Sequence, residues 1–295
     1  MATPTTTASP EDLAKLLLVT QNGLQSQAAQ IAHRQNIINV WGGISPGTKV
    51  LELGCGQGDC TIVLADAVGS SGSVDAVDPT PPGYGSPFTV EEAHRHISTT
   101  ILGPRINWIH ADSLTFLPDN APEPTYDIGI LCHSLWYFSS PPTISETLRR
   151  LRLLCKMIFI AEWSLTASSP SSYPHVLAAL TQASLECRKP QSESNVRTVV
   201  SPAAITKLAE DAGLKLVNEG IVENPGEHVY DGLWEVGAVS GKIFIQEIEK
   251  NVKDERERAV VHALRDATVK SLEPLPRGVK DVRSMNVWCG VFEKA

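Results

Sequence analysis

The residues best suited to bind a ligand lie in one short segment, Val50-Leu-Glu-Leu-Gly-Cys-Gly-Gln-Gly58. An apolar start leads to the acidic residue Glu52, and glycines then alternate at Gly54, Gly56 and Gly58 before a helical pattern begins. Glycine lets a chain reverse tightly and lets the backbone approach a ligand closely. The segment therefore predicts a strand, a glycine turn and a helix, which is where open α/β sheets bind cofactors.

The spacing of the glycines separates two kinds of cofactor. A dinucleotide site has the pattern G-x-G-x-x-G and holds a pyrophosphate at the helix N-terminus. This chain has G-x-G-x-G instead, with Glu52 two residues before the first glycine. A carboxylate at that position repels a pyrophosphate and can bind a cation. A nicotinamide cofactor is therefore disfavoured.

The segment resembles the first motif of the class I S-adenosylmethionine-dependent methyltransferases, E/D-x-G-x-G-x-G. The resemblance extends over residues 45–163, with weaker support towards the C-terminus. It implies that S-adenosylmethionine is the cofactor and S-adenosylhomocysteine the product. It also implies that the methionine part of the cofactor lies against five residues of the loop: Glu52, Gly54, Cys55, Gly56 and Gly58.

Two further strand patterns end near carboxylates. The second strand leads to Asp78-Pro79, about 20 residues beyond the glycines, where a carboxylate can bind ribose hydroxyls; a turn formed by Asp-Pro is the alternative. The third strand, at 106–109, is followed by Asp112 and Ser113. The resemblance implies that Asp112 contacts the adenine amino group, with Ser113 in the same loop. A helix N-cap is the other interpretation, and the two are compatible.

Two candidate catalytic residues follow the fourth and fifth strands. Residues 126–131 predict a buried parallel strand, and His133 comes just after it. A neutral imidazole there could take a proton from a hydroxyl or an amine during methyl transfer, or it could contact the cofactor instead. Glu162 ends the fifth strand and could position an amine or act as a base. A purely structural carboxylate is the alternative for Glu162.

Strands and helices alternate along the chain, and this order predicts a parallel sheet. Thr143 and Glu146 match a capping box for the helix between the fourth and fifth strands, which runs to about Leu154. Strand patterns at 214–222 and 284–292 complete the chain, and such a final pair, with the last strand antiparallel, is typical of the resembled family. We predict an α/β fold, a Rossmann-like, doubly wound seven-stranded sheet whose last strand is antiparallel, with helical cap insertions.

Segments outside this pattern are expected to surround the acceptor. The insertion at about 224–283 contains a helical stretch over 243–269, and insertions of this length in compact domains are usually functional or disordered. The predicted organisation has a disordered tail at residues 1–10, an N-terminal helical lid at 11–44 and the methyltransferase domain at 45–295. Two substrate-cap insertions lie within that domain, at about 164–200 and about 224–283.

Aromatic residues near these segments are candidates for the acceptor site, because they can enclose an apolar or planar molecule. They are Trp136, Tyr137, Trp163, Tyr230 and Trp234. Core packing is the alternative that is favoured for each one taken singly, and most strongly for Trp234 and for the neighbouring Phe138. The sulfonium methyl is already electrophilic, so orientation alone can contribute roughly 7–11 kcal/mol and a base is optional.

The predicted activity is in-line SN2 transfer of a methyl group to an O, N or S atom of a small molecule. One alternative is a protein or peptide methyltransferase, and another is a methyltransferase-like binding protein that is catalytically silent. Fold and cofactor do not by themselves determine the acceptor.

The bulk properties limit the partners. The 295 residues are 42% hydrophobic, which is ample for a core, and the net charge of −8 disfavours nucleic acid. No apolar run reaches the ~18–20 residues that span a membrane, and no secretory signal is visible. Six cysteines without regular spacing are typical of a cytoplasmic protein with reduced thiols. No C-x-x-C or H-x-x-x-H pattern indicates a metal site. The expected state is a monomer or a homodimer.

Overall fold

The computed structural model describes residues 8–20, 23–192, 194–223 and 225–295. Residues 1–7 of the predicted tail and residue 224 of the second predicted insertion lie outside the described residues. Within the tail, residues 8–10 lead into the first helix, which begins at Pro10 with Ser9 as its N-cap.

Seven strands form one mixed sheet in the part of the chain that the structure describes. They are β1 (Lys49–Leu53), β2 (Ser73–Asp78), β3 (Ile106–His110), β4 (Tyr126–Cys132), β5 (Cys155–Trp163), β6 (Leu214–Val222) and β7 (Val287–Lys294). Their order across the sheet is β3-β2-β1-β4-β5-β7-β6, and β7 runs antiparallel to both β5 and β6. The predicted fold class is confirmed.

Helices cover the sheet and build a cap at one end of it. They are α1 (Pro10–Ala14), α2 (Leu24–Val40), α3 (Asp59–Ala67), α4 (Val90–Ser98), α5 (Ser113–Phe116), α6 (Pro141–Leu154), α7 (Tyr173–Glu186), α8 (Pro202–Asp211), α9 (Asp231–Ser240), α10 (Lys242–Asn251) and α11 (Glu255–Lys270). Helix α2 packs on α3 and β6, while α7, α9, α10 and α11 pack on one another.

The strand order reverses between β1 and β4, and this reversal positions the site. β1 pairs with β2 on one side and with β4 on the other, in both cases in parallel. The core of the sheet is apolar because helices cover both faces, so that Leu51, Ile130 and Ile160 are fully buried. In sheets of this kind the ligand lies outside the carboxyl ends of the strands, at the point of reversal.

The predicted start of the helix between β4 and β5 is wrong. The predicted capping box at Thr143 does not form, because α6 begins three residues earlier: Ser140 is the N-cap and accepts a hydrogen bond from the Thr143 N–H at 3.3 Å. Glu146 instead pairs with Arg149 and Arg150. A capping box does form at Thr89, the N-cap of α4.

The predicted helical stretch over 243–269 is helical and consists of two helices, α10 and α11. Helix α10 ends at Asn251, and Asp254 then starts α11 by accepting hydrogen bonds from the N–H groups of Arg256 and Glu257 at 2.9 and 3.0 Å. A carboxylate that satisfies free N–H groups in this way favours a new helix start over continuation. No described helix combines the length and apolar character needed to cross a membrane.

Candidate functional site

The glycine loop has one face that is packed and one that is open. Gly54, Gly56 and Gly58 all have positive φ angles, of 84°, 52° and 98°. A Cβ on Gly54 would lie 2.5 Å from the Ser134 Cβ, and one on Gly58 would lie 2.8 Å from the Trp108 ring. A Cβ on Gly56 would meet no atom within 4 Å. Packing therefore requires two of the glycines, while the third leaves open space in front of the backbone.

That open space belongs to a cavity of about 250 Å³. Its walls are the glycine loop, the residues that follow β4, the end of β5, and side chains of α2 and α9. Nine of the residues predicted for the site line this cavity: Gly54, Cys55, Gly56, His133, Trp136, Tyr137, Glu162, Trp163 and Trp234. The cavity therefore brings together the loop, both candidate catalytic residues and four of the five candidate aromatic residues.

The cavity wall contains buried polar atoms that have no hydrogen-bond partner among the described residues. They are Gln27 Oε1, Gln30 Oε1, Arg34 Nε and His133 Nδ1. A buried polar group without a partner costs about 1–3 kcal/mol, so that native structures retain few of them. Their convergence on one cavity beside the glycine loop indicates a polar ligand that supplies the missing partners.

His133 is held in a strained position at the carboxyl end of β4. Its φ angle is 54°, in the left-handed region, and its N–H donates to the carbonyl of Ala161 at 2.8 Å. Its ring lies against Trp163, with centroids 4.3 Å apart. Strain of this kind costs about 1–3 kcal/mol and concentrates at functional sites. The structure thus directs the His133 ring into the cavity at an energetic cost.

His133 is paired with a second buried histidine, His33 of α2. Their Nε2 atoms are 3.1 Å apart, so one ring donates a proton to the other. Burial lowers the pKa of both imidazoles well below the ordinary value, and Arg34 lowers both further. Both rings are therefore neutral near pH 7. The sequence did not reveal His33, because it lies on a helix outside the recognised motif.

Glu162 is a buried carboxyl beside His133. Its Oε1 is 3.6 Å from His133 Nδ1. Its oxygens also accept hydrogen bonds from the N–H groups of Leu135, Trp136 and Trp163, at 3.0, 3.3 and 3.0 Å. Burial raises the pKa of Glu162 to about 7, although these N–H groups favour the charged form. The carboxyl can therefore exchange a proton near neutral pH.

The cavity is also lined by charged groups that were not predicted from the sequence. Arg34 of α2 and Asp59 at the start of α3 lie near the glycine loop. Asp231 and Glu235 of α9 come from the opposite wall, and each accepts a hydrogen bond from a glutamine amide, at 3.0 and 2.9 Å. Burial raises the pKa of Asp59. α2 and α9 carry no motif, so the convergence of their side chains is visible only in the folded chain.

Asp78 braces the glycine loop. Its two oxygens accept hydrogen bonds from the N–H groups of Gly56 and Thr80, at 2.7 and 2.8 Å. Asp78 also lines a second cavity of about 330 Å³ between the ends of β2 and β3 and helix α4. In this cavity His94 stacks on Trp108, with ring centroids 3.7 Å apart, and bonds to the Gly56 carbonyl at 2.8 Å. The two cavities thus lie on either side of Gly56.

Five predicted cofactor residues line neither cavity: Glu52, Gly58, Pro79, Asp112 and Ser113. Glu52 is buried and accepts a hydrogen bond from the Thr61 hydroxyl at 2.6 Å, while burial raises its pKa to about 7. Gly58 packs against Trp108, and Pro79 is exposed beside Asp78. Ser113 is buried at the start of α5.

Three other predicted residues have contacts that bear on their roles. Asp112 is an N-cap, accepting hydrogen bonds from the N–H groups of Leu114 and Thr115 at 2.9 and 3.4 Å. It also lines neither cavity. Tyr230 lies outside the first cavity and bonds to His228. Trp234 is 60% exposed and faces the cavity, so the prediction that it packs in the core is wrong.

A family model described as a methyltransferase domain matches residues 50–157. Methyltransferase phomM from Diaporthe leptostromiformis is 27% identical, with 83% of this chain and 73% of the relative covered. A 2-phytyl-1,4-naphtoquinone methyltransferase from Trichormus variabilis is 31% identical over 38% of this chain and 44% of its own length.

Solved structures are similar over almost the whole chain. A cyclopropane-fatty-acyl-phospholipid synthase-like protein from Lactobacillus casei ATCC 334 has a TM-score of 0.82 and 29% identity, with 96% of this chain and 98% of that chain covered. The [4+2]-cyclase SpnF has a TM-score of 0.50 and 15% identity over 90% of this chain and 81% of its own, which is a likeness of fold alone.

Proposed function

Because the chain is a class I S-adenosylmethionine-dependent methyltransferase that acts on a small molecule, we propose that its first cavity holds the transferable methyl group and the acceptor together. The observation that carries this proposal is the set of buried, unpartnered polar atoms beside the open face of Gly56. When bound, S-adenosylmethionine supplies an electrophilic methyl group. The acceptor atom is an O, N or S of a small molecule, attacking in line with the bond that breaks.

The methionine part of the cofactor is proposed to bind against the glycine loop and Arg34. Among the described residues that line the first cavity, Arg34 is the one guanidinium, and its Nε has no hydrogen-bond partner. A guanidinium suits a carboxylate, because it presents several donors in a fixed plane. The open face of Gly56 permits the close backbone approach that a Cβ would prevent.

The adenosine part is proposed to bind at the ends of β2 and β3. Asp78 is the ribose-binding residue in this proposal, and the second cavity beside it offers the stacked rings of His94 and Trp108. Asp112 and Ser113 follow two and three residues after His110, which lines this cavity. Their predicted role at the adenine remains a proposal, as does the predicted contribution of Glu52 beneath the loop.

The chain itself contributes orientation, exclusion of water and a proton acceptor. The walls from α2 and α9 enclose the reacting atoms, and holding two reactants in place can contribute roughly 7–11 kcal/mol. His133 and Glu162 are the proposed catalytic residues, since a neutral imidazole beside a carboxyl can accept a proton. Trp136, Tyr137, Trp163, Tyr230 and Trp234 remain the proposed acceptor residues.

The domain organisation and surroundings are also proposals. Residues 11–44 act as the lid and the insertions at about 164–200 and 224–283 as the cap, within a methyltransferase domain at 45–295. We propose a reducing, cytoplasmic location, because all six cysteines are free. The net charge of −8 supports the absence of a nucleic-acid partner, and the expected assembly is a monomer or homodimer.

Calorimetric titration with S-adenosylmethionine, S-adenosylhomocysteine and NAD tests the cofactor site. We expect micromolar binding of the first two and none of NAD. Arg34→Gln should weaken binding at least tenfold, about 1.4 kcal/mol, whereas Arg149→Gln, which changes an arginine on the outer helix α6, should leave it unchanged. Binding of NAD alone, or of none of the three, contradicts the proposal. Binding without turnover on any acceptor favours the catalytically silent alternative.

A further inference from the structure

The lining of the first cavity is rich in carboxyl groups. Among the described residues, it holds four carboxyl side chains, Asp59, Glu162, Asp231 and Glu235, and a single guanidinium, Arg34. Burial raises the pKa of Asp59 and raises that of Glu162 to about 7, so burial favours the neutral form of these two groups. The other two carboxyl groups, Asp231 and Glu235, lie on α9 and can face a positively charged acceptor.

Two of these carboxylates are presented by one helix and are held without a basic partner. Asp231 and Glu235 lie one turn apart on α9, so both face the same side. Asp231 accepts a hydrogen bond from the Gln30 amide, and Glu235 accepts one from the Gln182 amide. Among the ion pairs of the described residues neither has a lysine or arginine partner; Glu235 lies 3.4 Å from His175 Nε2. The neutral amides fix the two carboxylates, and the guanidinium that interacts with Asp231 through its charge is Arg34.

Aromatic rings stand beside these carboxylates with open faces. Trp234 lies between Asp231 and Glu235 in the chain and is 60% exposed, and Tyr137 is 51% exposed, although both line the cavity. A cation is attracted to the face of a Trp or Tyr ring, and aromatic rings are a recurrent means of binding ammonium groups. The rings also provide contact for an apolar body.

His133 supplies an independent observation that points to a ligand. Its side chain is only 8% exposed, it lines the cavity, and its Nδ1 has no hydrogen-bond partner among the described residues. In the tautomer in which His133 donates its Nε2–H to His33, Nδ1 carries no proton and can accept one. An acceptor molecule that carries N–H protons would satisfy it.

Resting on the proposed function, we propose that the acceptor is a basic amine with an apolar or aromatic body, bound as an ammonium ion by Asp231 and Glu235 beside Trp234 and Tyr137. The ammonium gives one proton to Nδ1 of His133. The freed lone pair forms the N–C bond to the methyl carbon, and the electron pair of the C–S bond stays on sulfur, leaving a thioether. The imidazolium so formed lies 3.6 Å from the Glu162 carboxyl.

Matched pairs of probes that differ only in the nucleophile test this assignment. 2-Phenylethylamine is compared with 2-phenylethanol, and tryptamine with tryptophol, by calorimetric titration into the protein saturated with S-adenosylhomocysteine and by mass spectrometry of methylated product with S-adenosylmethionine. We expect the amines to bind at least tenfold more tightly than the alcohols and to be the methylated members. Asp231→Asn and Glu235→Gln should each weaken amine binding about tenfold or more.

Asp266→Asn serves as the matched control, since Asp266 is an exposed carboxylate of the cap helix α11; it should leave amine binding unchanged. Equal behaviour of the two members of each pair, including failure of both to bind at millimolar concentration, overturns the amine assignment. Undiminished amine binding in both α9 variants also overturns it. Binding of S-adenosylhomocysteine to the unaltered protein and to each variant is measured first. Failure of the unaltered protein to bind it would contradict the proposed function, and this result is distinct from a failure of the amine assignment.

Discussion

Replacing the glycines of the loop one at a time separates backbone strain from contact with the cofactor. Gly42, Gly54 and Gly56 all have positive φ angles, of 99°, 84° and 52°. Gly42 lies in an exposed turn before β1 and outside both cavities, and a Cβ there would meet nothing within 4 Å. Alanine at Gly42 therefore introduces strain alone. Alanine at Gly56 adds a methyl group in front of the loop, and alanine at Gly54 adds a clash with Ser134.

The magnitudes follow from these contacts. A left-handed backbone costs a residue with a Cβ roughly 1–2 kcal/mol, so Gly42→Ala and Gly56→Ala should each lower the free energy of unfolding by about that amount. Gly54→Ala brings its Cβ within 2.5 Å of the Ser134 Cβ, and overpacking of this kind adds about 1–3 kcal/mol. Its total loss should therefore be about 2–5 kcal/mol.

The variants are compared by urea unfolding and by titration with S-adenosylmethionine. Gly42→Ala should bind the cofactor like the unaltered protein. Gly56→Ala should have a similar stability but bind the cofactor at least tenfold more weakly, about 1.4 kcal/mol, because its methyl group occupies the space in front of the loop. If Gly56→Ala binds as tightly as Gly42→Ala, the open face of the loop is not the cofactor surface and the reasoning is refuted.

Three other predictions concern single side chains. Asp78→Ala should weaken cofactor binding by about 1–3 kcal/mol, whereas Asp127→Ala, at the amino end of β4 and so at the opposite end of the strands, should not; equal titration curves would remove the ribose role. The Glu52 carboxyl, with its pKa raised from 4.5 to about 7, holds a proton in the folded state, so its contribution to the free energy of unfolding falls as pH rises from 4.5 to 7. In the unaltered protein this fall in the free energy of unfolding should be on the order of 3 kcal/mol, at about 1.4 kcal/mol per pKa unit, and Glu52→Gln should abolish it. If the variant and the unaltered protein show the same pH dependence of unfolding across this range, the prediction is contradicted. Trp136→Ala should cost roughly 3–5 kcal/mol of stability and Trp234→Ala within about 0.5 kcal/mol, and chemical denaturation that ranks them equally would contradict the difference in burial.

The order of strands and the position of the loop could be predicted because both depend on local chemistry. Strands buried on both faces are mostly apolar, as β4 is from Ile128 to Cys132, and glycine with positive φ marks a turn that other residues strain to adopt. Helix boundaries were harder. Thr143 and Glu146 have the chemistry of a capping box. Ser140, followed by Pro141 at the first helical position, provides an equally good helix start one turn earlier. Local propensity does not decide between two adjacent caps.

The charged half of the site could not be predicted, because its residues share no motif. Arg34, Asp231 and Glu235 lie on α2 and α9. The sequence of such a helix can indicate which face is apolar, but it does not indicate which part of the protein that face packs against. His133 could be found because it follows a central strand, whereas its partner His33 is a hundred residues away in sequence. Only the docking of α2 on α3 and β6 brings the two imidazoles together.

This division between predictable and unpredictable residues has a physical basis in what each half of the site must do. The loop must bring backbone close to a ligand, and that requirement fixes residue type at fixed spacing. Asp231 and Glu235 instead act at a distance through charge, and a carboxylate can perform that role from many positions of a covering helix. Any residue of α9 that faces the cavity could have carried the charge. In this proposal the choice of acceptor depends on the tertiary placement of α9 and not on a sequence motif. Substitution of the α9 carboxylates should therefore change which acceptor binds while leaving the cofactor site intact.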